Sequence, residues 1–378
     1  MRIVFSDNQL HLRLAPLTLT RPVAELRFGI LTTTQSWLKH LKSNQSAYET
    51  EQYLQEKFPS LKNYDLLIAG NIKPDAELVR WVKALKKGES LVVNKLWIAN
   101  RGARALRQIH KTKKDLLYIE HPWDLFQKNE QAIAVDYHLL TKGRKSAKPD
   151  KTNRISGKNI FIEKGAKLKF ATINAETGPV YIGKDAEIME GAIIRGPFAL
   201  GEHATVKMGA KIYGPTTIGP ECKVGGEISN CIFQAYSNKG HDGFIGNSYI
   251  GEWCNFGADT NSSNLMNTYG KLKIYSYETK KSEQTDITFC GLIMGDHCKT
   301  GINTMLNTGT VCGVSANIFG PGFPAKFIPS FTWGATEKSE QFRLDKAFEI
   351  AQNMMARRNI NLSAADKKIL EHVHKMAQ

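Results

Sequence analysis

No stretch of this 378-residue chain approaches the ~20 consecutive apolar residues that span a bilayer. The opening residues, MRIVFSDNQLHLRL, lack both the apolar core and the cleavage pattern of an export signal. A cytoplasmic protein with no membrane partner is therefore expected. The six cysteines, Cys222, Cys231, Cys254, Cys290, Cys298 and Cys312, form no CxxC pair, so the common zinc-binding spacing is missing. Several fall where a repeat points inward, and they read as reduced, small apolar fillers. The densest basic run, Lys142 to Arg154, has no aromatic residues between its charges. Binding of single-stranded nucleic acid relies on such stacking residues. The run reads as a linker, and no nucleic-acid partner is expected.

Hydrophobic residues make up 42% and charged residues 23%, the balance of an ordinary globular protein. The formal net charge of +15 favours anionic partners such as phosphorylated sugars, nucleotides or coenzyme A. The length allows two or three domains, and the pattern along the chain separates them. Residues 1–140 alternate strand-like and helix-like segments. Tyr64 to Gly70 reads as a buried strand. Pro74 to Leu85 reads as a helix beginning just after Lys73, with Asp75 and Glu77 in its first turn and Leu78, Val79, Val82 and Leu85 on one face. Leu91 to Ala99 and Leu116 to Ile119 read as further strands. The expectation is an α/β domain with a mostly parallel sheet, followed by a basic linker over 141–154.

The middle of the chain, 155–335, carries a different period. Ile182, Ile188, Ile194, Leu200, Val206, Ile212, Ile218 and Val224 are spaced by six. Glycine often follows the aliphatic residue, as at Gly183, Gly201, Gly219 and Gly225, and a small residue precedes it by two. Neither a helix nor an alternating strand locks these types to one phase; a hexapeptide solenoid does. Each hexad is a short strand and a turn, and three hexads close one triangular coil with the aliphatic side chain inside. The phase slips between 225 and 245. It resumes at Ile245, Ile250 and Phe256, leaves again over Asn261 to Asp286, and returns from Met294 to Ile318. Residues 336–378 read as helices, with Ser363 as a cap for the second.

The segment NKGHDGFIGNSYIGEWCNFGADTNSSN, Asn238 to Asn264, lies at the slip. It resembles the acetyltransferase half of the bifunctional N-acetylglucosamine-1-phosphate uridylyltransferase/glucosamine-1-phosphate acetyltransferase family. That family carries a histidine before an IG-x-x-x-N-x-G-A segment and an asparagine-rich loop. The resemblance puts His241 at the catalytic histidine, Asn255 and Asn264 at the two asparagines, and Phe244 where the family has tyrosine. It implies a left-handed parallel β-helix, an acetyl-CoA cosubstrate, an amino sugar 1-phosphate acceptor and a homotrimer. An imidazole titrates near neutral pH, so His241 suits removal of a proton from an attacking amine. The family's lysine in Glu-Ile-Lys-Asn is replaced by Ser229; Lys239, Lys223 or Arg195 are the candidates to stand in for it against a sugar phosphate.

Leu14 to Arg27 resembles the signature of sugar-1-phosphate nucleotidyltransferases from Pro16 to Pro22. Its glycine-rich turn is absent, since Gly29 is the first glycine, and Val23 stands in place of the signature lysine. The resemblance implies a nucleotidyltransferase-like first domain that binds a sugar 1-phosphate and a nucleoside triphosphate through Arg13, Arg21 and Arg27, with Asp7 as a magnesium ligand. Whether that domain forms a nucleotide sugar stays open. Two further readings also stay open: a non-catalytic scaffold with a degenerate first domain, and a γ-carbonic-anhydrase-like zinc enzyme using His203, His241 and His297.

Overall fold

The computed structural model describes residues 1–102, 105–334 and 339–378. The first domain is built on a six-stranded sheet. Strands Ser46–Glu49, Ile3–Ser6 and Leu66–Ala69 lie side by side and parallel, then Leu96–Arg101, Glu89–Val93 and Arg107–Lys111 complete the order. Ile3–Ser6 and Leu66–Ala69 are buried at every residue, as expected of strands covered on both faces. Helices Thr33–Leu41 and Ala76–Ala84 pack through Trp37, Leu78 and Val82. Asp75 caps the second helix, its carboxylate accepting from the Leu78 N–H, 2.8 Å.

The sheet is mostly parallel, as expected, with one strand reversed: Leu96–Arg101 runs antiparallel to both of its neighbours. Residues 91–99, read from the sequence as one strand, instead turn back through Asn94 and Lys95, whose φ values are 51° and 72°. Asparagine tolerates this left-handed region better than most residues, but Asn-Lys is a weaker turn signal than Asn-Gly. Residues 116–119 form no strand; Tyr118 makes a single bridge to Ile72.

From Arg154 the chain winds into a three-sided parallel β-helix. Strands such as Ile160–Ile162, Val180–Ile182 and Phe198–Leu200 stack in register, and Ile182, Leu200 and Ile218 fill the interior. The first face alternates: Ile193–Arg195 is exposed, buried, exposed. The second face is buried throughout, as in Val180–Ile182, Phe198–Leu200 and Leu292–Met294. Its outward residues Tyr181, Ala199, Ile232, Tyr249 and Ile293 lie under Ile30, Ile133, Phe28 and Phe126 of the first domain. The two halves thus share one core along this face. Residues 141–154 also lie on the coil: Arg144 forks onto Glu163, 2.8 and 2.6 Å, and the Ala147 N–H donates to Ile162 O, 2.8 Å.

A buried ion pair fixes helix Asn129–Thr141 to the first domain. Lys73 Nζ donates to Asp136 Oδ2, 2.7 Å, and to the Phe28 carbonyl; Asp136 also accepts from the Leu31 N–H, 2.9 Å, and Ser36 Oγ, 3.1 Å. Neither the Lys73 nor the Asp136 side chain is exposed. Burial lowers the Lys73 amine from its ordinary range, against the pull of Asp136.

The expected excursion contains a hairpin, Lys273–Ser276 with Lys281–Gln284. Asn261–Ser262, at its start, still belongs to the coil and pairs with Met305–Leu306. The hairpin leans on the first domain, burying Leu272 and Ile274 against Leu10, Leu14 and Leu17. Helices Leu344–Ala356 and Ala364–Met376 follow the coil, the second capped by Ser363 and Asp366. They pack on Trp253, Val314 and Phe331 of the coil and on Leu19 and Leu54 of the first domain. The boundary expected at 335/336 lies outside the described residues.

Candidate active site

The slip in the hexad phase is a local shortening of the coil. Inward residues on the second face are 18 apart from Leu200 to Ile218, then 15 apart from Ile218 to Phe233. On the third face the step from Val206 to Val224 is 18, and from Val224 to Lys239 it is 15. A tight corner at Gly225-Gly226 accompanies this change. Gly226 has φ +69°, and a Cβ there would stand 2.8 Å from the His241 carbonyl oxygen. Only glycine lets the 240–243 loop sit this close.

The shortening also places a lysine at an inward position. Lys239 is fully buried and stacks on Val224. Its ammonium donates to the His241 carbonyl and to the Asp242 carbonyl, the latter at 2.7 Å. Burial pushes its pKa down to about 8, with Asp242 and Asp259 opposing. Lys239 therefore anchors the loop from inside, and it does not face a substrate as the sequence reading expected.

His241 is exposed at the corner. It opens, with Asn238 and Asn255, into a groove of about 780 Å³ between the third face and the end of helix Leu344–Ala356. Trp253 and Tyr236, stacked at 4.3 Å, contribute to its lining. Among the described residues, the groove carries five cations, Lys207, Lys223, Lys299, Arg357 and Arg358, and no carboxylate. Lys223 is lowered by partial burial and by Arg358, Lys207 and Arg357, with Glu221 opposing. The contribution of the C-terminal helix was missed in the sequence; the adjacent guanidiniums at Arg357 and Arg358, just past a helix end, were the available signal.

The other expected acceptor-side residues lie elsewhere. Phe244 and Asn264 sit around the corner on the first-face side. Phe244 is in line with Glu227, and Asn264 Nδ2 donates to Asn247 Oδ1, 2.8 Å. Arg195 is exposed on the first face, two turns from the column position of Ser229. Ser229 itself is buried.

The residues expected to hold phosphates in the first domain are engaged internally. Arg21 donates to Glu252 Oε1, 2.9 Å, and to Asp296, which also accepts from Thr20 Oγ1, 2.7 Å. Burial alone would lower the Arg21 guanidinium, but Asp296 and Glu252 hold it above its usual range. Arg27 is buried and donates to the carbonyls of Gln234, 2.7 Å, and Ile30; burial lowers it. Arg13 pairs with Glu278 at 2.9 and 3.2 Å. Asp7 accepts from the Val23 N–H, 2.8 Å, from Thr50 Oγ1, 2.5 Å, and contacts His11 Nδ1 at 3.3 Å. These oxygens are committed, so Asp7 does not fit a magnesium ligand. The segment that resembles the nucleotidyltransferase signature is a clamp on the coil.

Among the described residues, no group of three or more His, Cys, Asp or Glu side chains could hold a metal ion. His297 is buried, and burial pushes it down to about 3, so it stays neutral. His203 is exposed beside Glu202, 3.7 Å. The three histidines considered for zinc do not come together as a ligand set.

A model of the sugar nucleotidyl transferase family matches residues 2–145. The bifunctional protein GlmU of Methanocaldococcus jannaschii is 33% identical over 87 residues, which are 23% of this chain and 21% of that protein. The match thus spans about a fifth of that relative's length. Two solved structures are also similar. The UDP-N-acetylglucosamine acyltransferase of Campylobacter jejuni is 15% identical with a TM-score of 0.21, covering 59% of this chain and 95% of that one. The UDP-N-acetylglucosamine acyltransferase of Arabidopsis is 14% identical with a TM-score of 0.21, covering 57% and 78%. The family match in the first domain and the partial GlmU relative support the GlmU-like family to which the motifs point.

Proposed function

We propose that the chain is an acyltransferase of nucleotide-sugar metabolism whose reaction takes place on the β-helix. One observation carries this reading: His241 and Asn255, fourteen residues apart at the slip in the hexad phase, open into the same cationic groove. The acyl donor is acetyl-CoA and the acceptor is an amino sugar 1-phosphate. The amine nitrogen attacks the thioester carbonyl carbon, and His241 takes the proton that the nitrogen sheds. The C–S bond then breaks, an amide forms, and the leaving thiolate receives the proton back from the imidazolium. Such general base catalysis contributes typically about 10²–10⁴-fold. Asn255 and Asn238 supply amide groups for polar atoms of a substrate.

The active form in this reading is a homotrimer. Met208 and Ile302, 70% and 74% exposed, flank the corner that carries His241. These two exposed apolar side chains beside the site favour a contact with another copy there. A second copy against this corner would bring its own residues to His241. Phe244 and Asn264 on the adjoining face are then available to the site of a neighbouring copy. The first domain acts as a brace along the second face, since Arg13, Arg21, Arg27 and Asp7 all serve internal contacts.

The test is incubation with acetyl-CoA and a panel of amino sugar 1-phosphates, following release of free thiol, with light scattering on the same sample. Amine-dependent thiol release by a trimer supports the reading. A monomer, or no release with any member of the panel, counts against it.

A further inference from the structure

We infer that Lys207, Lys223, Arg357 and Arg358 form a phosphate-binding recess at the helix side of the groove, and that Arg357 and Arg358 thereby set substrate specificity. The inference rests on the acyl-transfer reading for what reacts at the other end, near His241.

Four cations from three separate elements meet here. Lys207 and Lys223 come from successive turns of the third face, where Val206 pairs with Val224. Arg357 is the C-cap of helix Leu344–Ala356, and Arg358 follows it. The nearest counter-charge is Glu221, whose Oε2 lies 3.5 Å from Arg358 Nε. That Nε is buried and makes no hydrogen bond. Burying a donor without a hydrogen-bond acceptor is destabilising, and a ligand oxygen would relieve it. Lys223 is held below its ordinary range by burial and by the three neighbouring cations. Four cations that share one nearby carboxylate, Glu221, in a groove lined by no carboxylate among the described residues, are poised for an anion. Guanidinium groups fork onto phosphate oxygens, and lysines add point charge.

Two ligands carry this chemistry into an acyl-transfer site: the phosphates of coenzyme A and the 1-phosphate of the sugar. Isothermal titration of the full-length protein separates them, with coenzyme A against 3′-dephospho-coenzyme A and glucosamine 1-phosphate against glucosamine. In at least one pair, the ligand carrying the extra phosphate should bind about tenfold tighter or more, equivalent to ~1.4 kcal/mol. The double substitution Lys223→Ala/Arg357→Ala should flatten that ratio, with Arg357→Lys between it and the wild type. Arg357 is exposed, so the single substitution should leave thermal unfolding unchanged. The pair that responds identifies the source of the phosphate. The ratio should survive in His241→Ala, which separates this inference from the choice of base. Equal binding within both pairs, or a ratio untouched by the double substitution, would overturn it.

Discussion

Replacing Lys239 by methionine should change the way stability depends on pH, with a sign fixed by the structure. The amine sits inside the coil and is lowered from 10.5 to about 8 by burial. That difference corresponds to roughly 3 kcal/mol against the charged form. Below pH 8 the folded and unfolded chains both hold the proton, and the whole penalty acts. Between about pH 8 and 10.5 the unfolded chain keeps a proton that the folded chain has released, so stability rises with pH. Lys239→Met has no such group. The stability of the variant relative to wild type should therefore fall by up to about 3 kcal/mol from pH 7.5 to above pH 10. For a chain of this length that is roughly 4 °C in Tm. Paired thermal scans at pH 7.5 and 10 read it directly, because the other titrating groups cancel in the comparison. Methionine also cannot donate to the carbonyls of His241 and Asp242, so the loop loses its anchor and turnover should fall about tenfold or more. An offset between the two proteins that is the same at both pH values would refute the argument.

Lys73→Ala leaves Asp136 buried without its partner and should cost about 3–5 kcal/mol in urea unfolding. A Lys73→Met/Asp136→Leu pair should recover much of that loss. Gly226→Ala places a methyl group against the His241 carbonyl in a left-handed backbone conformation; it should cost about 1–3 kcal/mol and reduce turnover more than a Gly322→Ala control, where a Cβ meets nothing. Arg21→Met strands Asp296 and Glu252 and should lower stability by about 3–5 kcal/mol, while UTP with magnesium should not shift the Tm of the wild type; a nucleotide-dependent rise that Arg21→Met abolishes would restore a phosphate-binding role to that arginine.

The coil was legible because one residue class recurs at one phase, and Ile182, Leu200 and Ile218 stack inside it as the spacing demands. The interruption at 225–245 was equally visible, yet its cause was not. A corner shortened at Gly225-Gly226 depends on turn-to-turn register, which no single hexad reveals. Lys239 was misread for the same reason, since the shortened step turns a lysine inward. In the first domain, strand Leu66–Ala69 and helix Ala76–Ala84 followed from local pattern. The hairpin at Asn94-Lys95 did not, because the apolar run continues through it. The packing of the first domain on the coil leaves a trace in the sequence: strands of the second face, such as Val180–Ile182, are apolar on both sides, whereas Lys211–Tyr213 on the first face alternates. That contrast marks a covered face. Arg21 and Arg27 looked like phosphate ligands because an arginine in a signature carries no sign of the carboxylates and carbonyls that fold against it. His241 and Asn255 lie within one short segment, so they could be paired from the sequence; Arg357 and Arg358, more than a hundred residues away, required the tertiary structure.

The central claim is that the imidazole at the shortened corner performs base catalysis of acyl transfer. Its most direct test is the amine-dependent rate of thiol release from acetyl-CoA, measured side by side for the wild type and His241→Ala at matched Tm. The account predicts a fall of about 10²–10⁴-fold in kcat with no change in unfolding temperature. Equal rates in the two proteins would contradict it.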